Sequence, residues 1–471
     1  MVTPVFKEKL TSAMRVPDFG EIYIVPSLSP MDPSAVDLKT KLTVNIALNI
    51  PLVSSPMDTV TEADMAIAMA LLGGIGVVHR NMERERQVEV VKKVKEHPLV
   101  RLRTLYVDVE ETCGRAMESL RKAGLRNLPV VESGKCVGHV HVELLKHCGA
   151  NRQVRYAVRP GGVFRVNEVK DAVGALLRGE YDSIGVVSRD GSYLGTVVYT
   201  DVLEELTPST DPEGRLLVGA AISPFDIERA KSLEKYVDVL VSDVAHFHNA
   251  EVLDSSRRLV SEVAVDFVAG NIGSGEAARD VLSYVERVSG LRVGVGGGSI
   301  CTTPEVTGAY APTLWAVAVV RDAIEELGAK VPVIADGGMK SPSDIVKALA
   351  AGASTVMLGY MLAATDEAPA PTISIGGRYY KVYRGMASKS AMEKRYALDR
   401  YAKVSKKVPE GIEGLLPYRG SVYGVVRDIV EAIKASLGYA GARNIEELWN
   451  KAKFIITHRE QRTRWVKTSV E

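Results

Sequence analysis

"VPVIADGGMKSPSDIVKALAAGASTVMLG", residues 331–359, holds a complete structural unit. It opens on a short β-branched run, 331–338, that stops in Asp336-Gly337-Gly338. A helical pattern follows at 341–352, and a second apolar run closes it at 355–359. Runs that are apolar almost throughout, rather than alternating, read as strands of a parallel sheet buried on both faces. The stretch therefore predicts strand, loop, helix, parallel strand. The same rhythm recurs upstream. Further runs stand at 50–55, 74–79, 215–221, 237–243, 265–271 and 291–296, and helical patterns at 61–73, 224–236, 275–288 and 314–328. Eight strand runs in alternation with helices predict an α/β fold of the (β/α)8, or TIM-barrel, type.

One interval breaks the alternation. Between 79 and 215 lie two similar pieces, "NLPVVESGKCVGHVHVELL" (127–145) and "SIGVVSRDGSYLGTVVYTDVLEEL" (183–206). Each reads strand, glycine-containing turn, strand, helix, so the interval is a duplicated module. The expected division is a barrel over 1–92 and 208–471 with an inserted module at 93–207. "TPSTDPEGR" (207–215) is its exit linker.

The bulk numbers exclude several partners. The chain has 471 residues, 46% of them hydrophobic, with 59 basic against 58 acidic residues and a net charge of +1. That balance offers no basic face for nucleic acid. No apolar run reaches the roughly 18 residues of a membrane span. The N-terminal stretch lacks the apolar centre of a signal peptide, so a cytoplasmic location is expected. Cys113, Cys136, Cys148 and Cys301 show neither CxxC spacing nor nearby paired histidines. Neither a zinc site nor a disulfide framework is expected from them. His139 and His141 alternate on a strand, a pattern more often solvated than metal-binding.

In a (β/α)8 barrel the active site forms from the loops after the strand C-termini. "GVGGGSICTTPEV" (294–306) is such a loop, and it carries Cys301. A nucleophile on a mobile loop is one reading; a small inert cysteine is the other. The glycine-rich backbone favours the first, because it can offer N–H groups to an anion or carbonyls to a cation. "DGG" (336–338) and "LGY" (358–360) end the last two runs, where this fold often holds a phosphate. Tight turns without a ligand would use glycine equally well. Taken together, the three loops suggest a nucleoside monophosphate or a sugar phosphate.

"PLVSSPMDTVTEADMAIAMALLGGIGVVHRNM" (51–82), "LRVGVGGGSICTT" (291–303), "IADGGMKSPSDIVKALAAGASTVML" (334–358), "YRGMAS" (383–388) and "VPEGIEG" (408–414) resemble the inosine-5′-monophosphate (IMP) dehydrogenase family and its reductase relatives. The inserted repeat resembles a tandem of CBS modules. The resemblance implies NAD-dependent oxidation of IMP to xanthosine monophosphate (XMP) through a covalent thioimidate on Cys301, in guanine nucleotide biosynthesis. It implies Thr303 beside the reacting purine, and Arg400 as the base that activates water with Tyr401 next to it. The phosphate would rest on Ser299, Gly338, Gly359 and Tyr383, with Tyr360 and Gly385 alongside. Asp336 would take the ribose hydroxyls, while Ser55, Met57, Asn271, Arg292, Met386 and Glu410 would stand near the nucleotide or its base. Asp243 matches the acid near the ribose of NAD, with Gly294 and Gly296 beside that cofactor; a plain strand-end cap is its competing reading. The carbonyls of Gly296, Gly298 and Cys301 would contribute to a potassium site. Thr200 and Asp201 would serve an adenine or guanine nucleotide in the module. A homotetramer or octamer is implied too.

Some positions depart from the family pattern. Pro304 and Thr313 replace polar residues of the cysteine loop, Ala387 replaces a glycine, and Tyr360 stands where a small residue is usual. The flap around 392–411 is short, and the tail after 454 is short and glycine-free. Two other functions stay open on sequence: a guanosine-monophosphate (GMP) reductase using NADPH, and a non-catalytic nucleotide sensor on the same scaffold.

Overall fold

The structure is a computed structural model that describes residues 8–10, 12–204, 206–393 and 409–457. It divides into two compact units. Unit 1 comprises Met1–Lys95, Ser209–Asp211 and Leu216–Glu471; unit 2 comprises Glu96–Pro208 and Pro212–Arg215.

Unit 1 is a closed barrel of eight strands. They are β1 (Leu52–Ser54), β2 (Ile75–Val78), β3 (Val218–Ile222), β4 (Val239–Ser242), β5 (Asp266–Ile272), β6 (Val288–Val293), β7 (Val333–Asp336) and β8 (Thr355–Leu358). All neighbours pair in parallel, and β8 closes on β1 through Met357 opposite Val53. The strands are buried nearly throughout, which explains their predominantly apolar sequence.

The helices are α1 (Ala63–Leu71), α2 (Arg84–Lys95), α3 (Ile227–Leu233), α4 (Ala250–Glu262), α5 (Gly275–Tyr284), α6 (Thr313–Glu326), α7 (Pro342–Ala350) and α8 (Val422–Ala440). Helices α2, α4 and α8 are absent from the sequence reading. Their local signals are nonetheless present: Asn249 caps α4 by accepting from the N–H groups of Glu251 and Val252, and Ser421 caps α8. Helix α2 runs through residue 93 to Lys95, three residues past residue 92, where the sequence placed the end of the first barrel segment. Lys95 explains the extension: its Nζ donates to Asp211 at 2.8 Å and to Asp238 at 2.8 Å, fastening the helix end to unit 1.

The barrel's N-terminal end is plugged. A hairpin of Thr40–Lys41 and Ala47–Leu48 sends Leu42 and Leu48 into the same cluster as Val53, Ile75, Val239 and Ile334. Asn45 bonds Asp266 at 2.7 Å and Val44 bonds the Ser289 carbonyl at 2.9 Å, both at strand starts. Truncating a fully buried leucine such as Leu48 costs about 2–5 kcal/mol in a core of this kind. With that end closed, ligands enter from the C-terminal ends of the strands.

Unit 2 repeats one motif twice. Strand Val107–Asp108, helix Cys113–Ala123, strands Asn127–Glu132 and Lys135–His141, and helix Val142–Cys148 form the first copy. Strand Val163–Arg165, helix Val169–Leu177, strands Ser183–Val187 and Tyr193–Val198, and helix Tyr199–Val202 form the second. Each copy has one parallel and one antiparallel pairing around its middle strand. Equivalent positions of the copies bond each other: Asn127 donates to the Ser183 carbonyl at 2.6 Å, and Arg126 pairs with Asp182.

One expectation is overturned here. Cys113 and Cys148 form a disulfide across 35 residues of sequence. Cys113 opens one helix and Cys148 ends another, and the packing of those helices sets the Cα atoms 6.4 Å apart. Linear spacing cannot register a pair that only helix packing joins. Cys136 and Cys301 remain free thiols.

Candidate active site

The C-terminal ends of the strands surround an open cavity of about 170 Å³. Its wall contains nineteen of the positions singled out from sequence: Ser55, Met57, Asp243, Asn271, Arg292, Gly294, Gly296, Gly298, Ser299, Cys301, Thr303, Asp336, Gly338, Gly359, Tyr360, Tyr383, Gly385, Met386 and Glu410. Arg400 and Tyr401 lie outside the described residues. Thr200 and Asp201 belong to unit 2. There Thr200 is exposed, whereas Asp201 is buried and held by both Arg103 and Arg101.

The glycines let two loops touch. An added Cβ on Gly294, whose φ is +133°, would lie 2.1 Å from the Asp336 carbonyl oxygen. Thr313 ties the same carbonyl down with a 3.1 Å bond. The cysteine loop thus rests directly on the end of β7, and only glycine permits that approach.

Cys301 stands in a hydrogen-bonded file. Its Sγ is 3.2 Å from the Thr303 hydroxyl, and Thr303 donates to Glu410 Oε2 at 2.7 Å. Thr303 has one proton and gives it to the carboxylate, so its oxygen accepts from the thiol. Glu410 arrives from more than a hundred residues away by a backbone ladder. Thr302 N–H donates to the Glu410 carbonyl, Ile412 N–H to the Ile300 carbonyl, and Glu410 N–H to the Ala387 carbonyl, each at 3.0 Å.

At the strand ends, four charges alternate. Asp336 Oδ2 accepts from Asn271 at 2.8 Å and from Arg292 Nε at 2.8 Å. Arg292 Nη1 lies 3.6 Å from Asp243 Oδ1, and Asp243 also meets Arg80. Tyr383 is 4% exposed, and burial pushes its phenol far above the usual range despite a bond with Ser299. It therefore stays protonated and able to donate. Tyr360 meets its ring edge-on, 6.4 Å between centroids.

Two residues behind the wall escaped the sequence reading. Asp58 accepts from Arg384 Nε at 2.9 Å, Arg384 Nη2 at 2.6 Å and Asn81 at 2.8 Å. Burial acts to raise the Asp58 pKa, but the Arg384 guanidinium and the Asn81 amide outweigh it and hold the carboxyl below its ordinary value. The pair fastens the loop that carries Ser55 and Met57 to the end of the strand Arg378–Arg384, which carries Tyr383 and leads to Met386. Both residues sit in quoted motifs, "SSPMD" and "YRGM"; no signal there says that they face each other.

Fold and site together define a (β/α)8 barrel in which a free thiol, backed by a hydroxyl and a carboxylate, faces a glycine-lined cradle. Residues 17–463 match the IMP dehydrogenase / GMP reductase domain family. The IMP dehydrogenase of Korarchaeum cryptofilum is 46% identical over 93% of this chain and 94% of its own. That of Thermoplasma acidophilum is 39% identical over 96% and 93%. A crystal structure of Trypanosoma brucei GMP reductase with guanosine 5′-monophosphate superposes with a TM-score of 0.69 at 34% identity, covering 96% of this chain and 97% of that one. The chain belongs to the IMP dehydrogenase / GMP reductase family. It is an enzyme of the NAD-dependent oxidoreductase kind.

Proposed function

We propose that the protein oxidises IMP to XMP with NAD as hydride acceptor, on the way to guanine nucleotides. One observation carries this reading: the file Cys301–Thr303–Glu410 at the rim of a cavity that also holds Asp336 and Tyr383. The 46% relative named for the dehydrogenase, against 34% for the reductase structure, supports it.

The chain's own groups then have these roles. The Cys301 thiol passes its proton along Thr303 toward Glu410, and the sulfur bonds to C2 of the purine. NAD supplies the acceptor for the hydride that leaves C2. A thioimidate on Cys301 remains; water adds to its carbon, the C–S bond breaks, and XMP and the thiol are released. Splitting one hard displacement into two steps is what the covalent link gains. Asp336 keeps its bonds on Oδ2, leaving Oδ1 to take ribose hydroxyls. The backbone of Gly338 and Gly359, with Ser299 and Tyr383, receives the phosphate. Arg400 and Tyr401 complete water activation in this proposal.

Asp243 fits a dinucleotide ribose, being a carboxylate on the cavity wall between two guanidiniums. Potassium fits less fully. Of its candidate carbonyls, Gly298 already accepts from Cys301 N–H at 3.0 Å, and a neighbouring copy of the chain would have to add further oxygens. The homotetramer, the cytoplasmic location and the reading of unit 2 as a CBS pair for adenine or guanine nucleotides belong to the same proposal. No helix among the described residues is long and apolar enough to cross a membrane.

The test offers IMP with NAD and, separately, GMP with NADPH, and follows the reduced dinucleotide by absorbance. NADH should accumulate in the first, and a mass increase should appear on Cys301 when the reaction is quenched. Signal confined to the second assay would assign the reductase. Binding without turnover or adduct would assign a sensor.

A further inference from the structure

Arg80 has no place among the residues facing the cavity, yet it grips one that does. It follows β2 in the sequence "VVHRN" (77–81), and its side chain is 3% exposed. Its Nη2 donates to the Asp243 backbone carbonyl at 3.0 Å, and its Nε approaches the Asp243 carboxylate Oδ2 at 3.4 Å. The guanidinium therefore holds backbone and side chain of one residue together. That double hold restricts rotation of the carboxylate, which a point charge could not do. On the far side Arg292 Nη1 stands 3.6 Å from Oδ1, and Arg292 is itself committed to Asp336 at 2.8 Å. Arg80, Asp243, Arg292 and Asp336 thus alternate in sign across the ends of β2, β4, β6 and β7.

Asp243 is 2% exposed. A carboxylate so far out of water keeps its charge only with an opposite charge and hydrogen-bond donors beside it. Arg292 makes its short bonds to Asp336, whereas Arg80 makes its own to Asp243, one to the backbone carbonyl at 3.0 Å and one to the carboxylate at 3.4 Å. We infer that Arg80 is a positioning residue for the dinucleotide: its hold on backbone and side chain keeps the Asp243 carboxylate in one orientation, so that it meets the NAD ribose without reorganising. The inference rests on the proposed role of Asp243. It separates the two ligands, since Asp336 keeps Asn271 and Arg292 whether or not Arg80 is present.

The experiment compares wild type with Arg80→Met, Arg80→Gln and Arg80→Lys. The dissociation constant of NAD is read by quenching of protein fluorescence on enzyme saturated with XMP, which cannot be oxidised, that of IMP alone by calorimetry, and KM and kcat wherever turnover occurs. Arg80→Met should weaken NAD at least tenfold and leave IMP within twofold. Arg80→Lys, which keeps the charge but not the double hold, should fall between, at about threefold. Arg80→Gln should resemble Met, and the Lys–Gln pair decides the matter if the Met variant does not fold. NAD affinity within twofold of wild type in the Gln or Met variant overturns the inference. An equal loss of IMP affinity overturns it too, because that marks general collapse of the site. Failure of the wild type to form NADH would instead bring down the dehydrogenase reading, and the NAD-binding series would still judge Arg80.

Discussion

Replacing Arg384 by methionine tests the ion pair behind the substrate loops. Asp58 is 1% exposed and Arg384 19% at the side chain, so the variant strands a buried carboxylate with the Asn81 amide among its remaining partners. Breaking a buried pair in this way costs about 3–5 kcal/mol. Unit 1 has roughly 350 residues, and unfolding entropy near 60 °C is about 2.1 cal/mol/K per residue. The loss therefore corresponds to a drop of about 4–7 °C in Tm. pH dependence supplies a second axis. In the native protein the Asp58 pKa lies below its unfolded value, so the pair's contribution is complete above about pH 4 and is lost only as pH falls through the lowered folded value. Without Arg384 burial dominates, and the Asp58 pKa rises. A protonated Asp58 is tolerated in the apolar setting, so the gap between variant and wild type should narrow on acidification from pH 7.5 toward pH 5. Calorimetry at several pH values measures both effects. The double variant Asp58→Asn with Arg384→Met should recover part of the loss, because no unpaired charge remains. A Tm change under about 1 °C for Arg384→Met, or a gap that does not depend on pH, would refute the reasoning.

Glu410→Gln keeps an acceptor for the Thr303 hydroxyl but removes the proton acceptor. We expect kcat to fall about 100-fold, with KM for IMP within threefold, by initial-rate kinetics. Thiol titration of the denatured, unreduced protein should find two reactive cysteines of four, Cys136 and Cys301. Reducing the Cys113–Cys148 bond, which closes 35 residues, should destabilise unit 2 by up to about 4 kcal/mol in urea melts. IMP turnover should be unchanged by this. Gly294→Ala drives a methyl group against the Asp336 carbonyl. Calorimetric titration should show IMP affinity at least tenfold weaker in that variant.

Much of this protein is determined by local order in the sequence. Each barrel strand is a short, mostly apolar run because it is covered on both faces, and that condition is written locally. The cavity wall is legible for a related reason: strand-end loops must carry glycine where backbones touch, as at Gly294, and they carry the polar groups that face the cavity, as at Cys301 and Asp336. What escapes is whatever depends on two distant segments meeting. Helices α2, α4 and α8 cover the barrel with modest local signatures, and tertiary packing settles where they start and stop. Cys113 meets Cys148 only because two helices pack. Glu410 reaches Thr303 only through a backbone ladder, Asp58 reaches Arg384 across 326 residues, and Arg80 reaches Asp243 across 163. Each of these pairs is an electrostatic or covalent contact between groups that no spacing rule connects. The sequence determines the barrel and the surface a ligand sees; the folded chain alone decides which buried charges hold that surface in place.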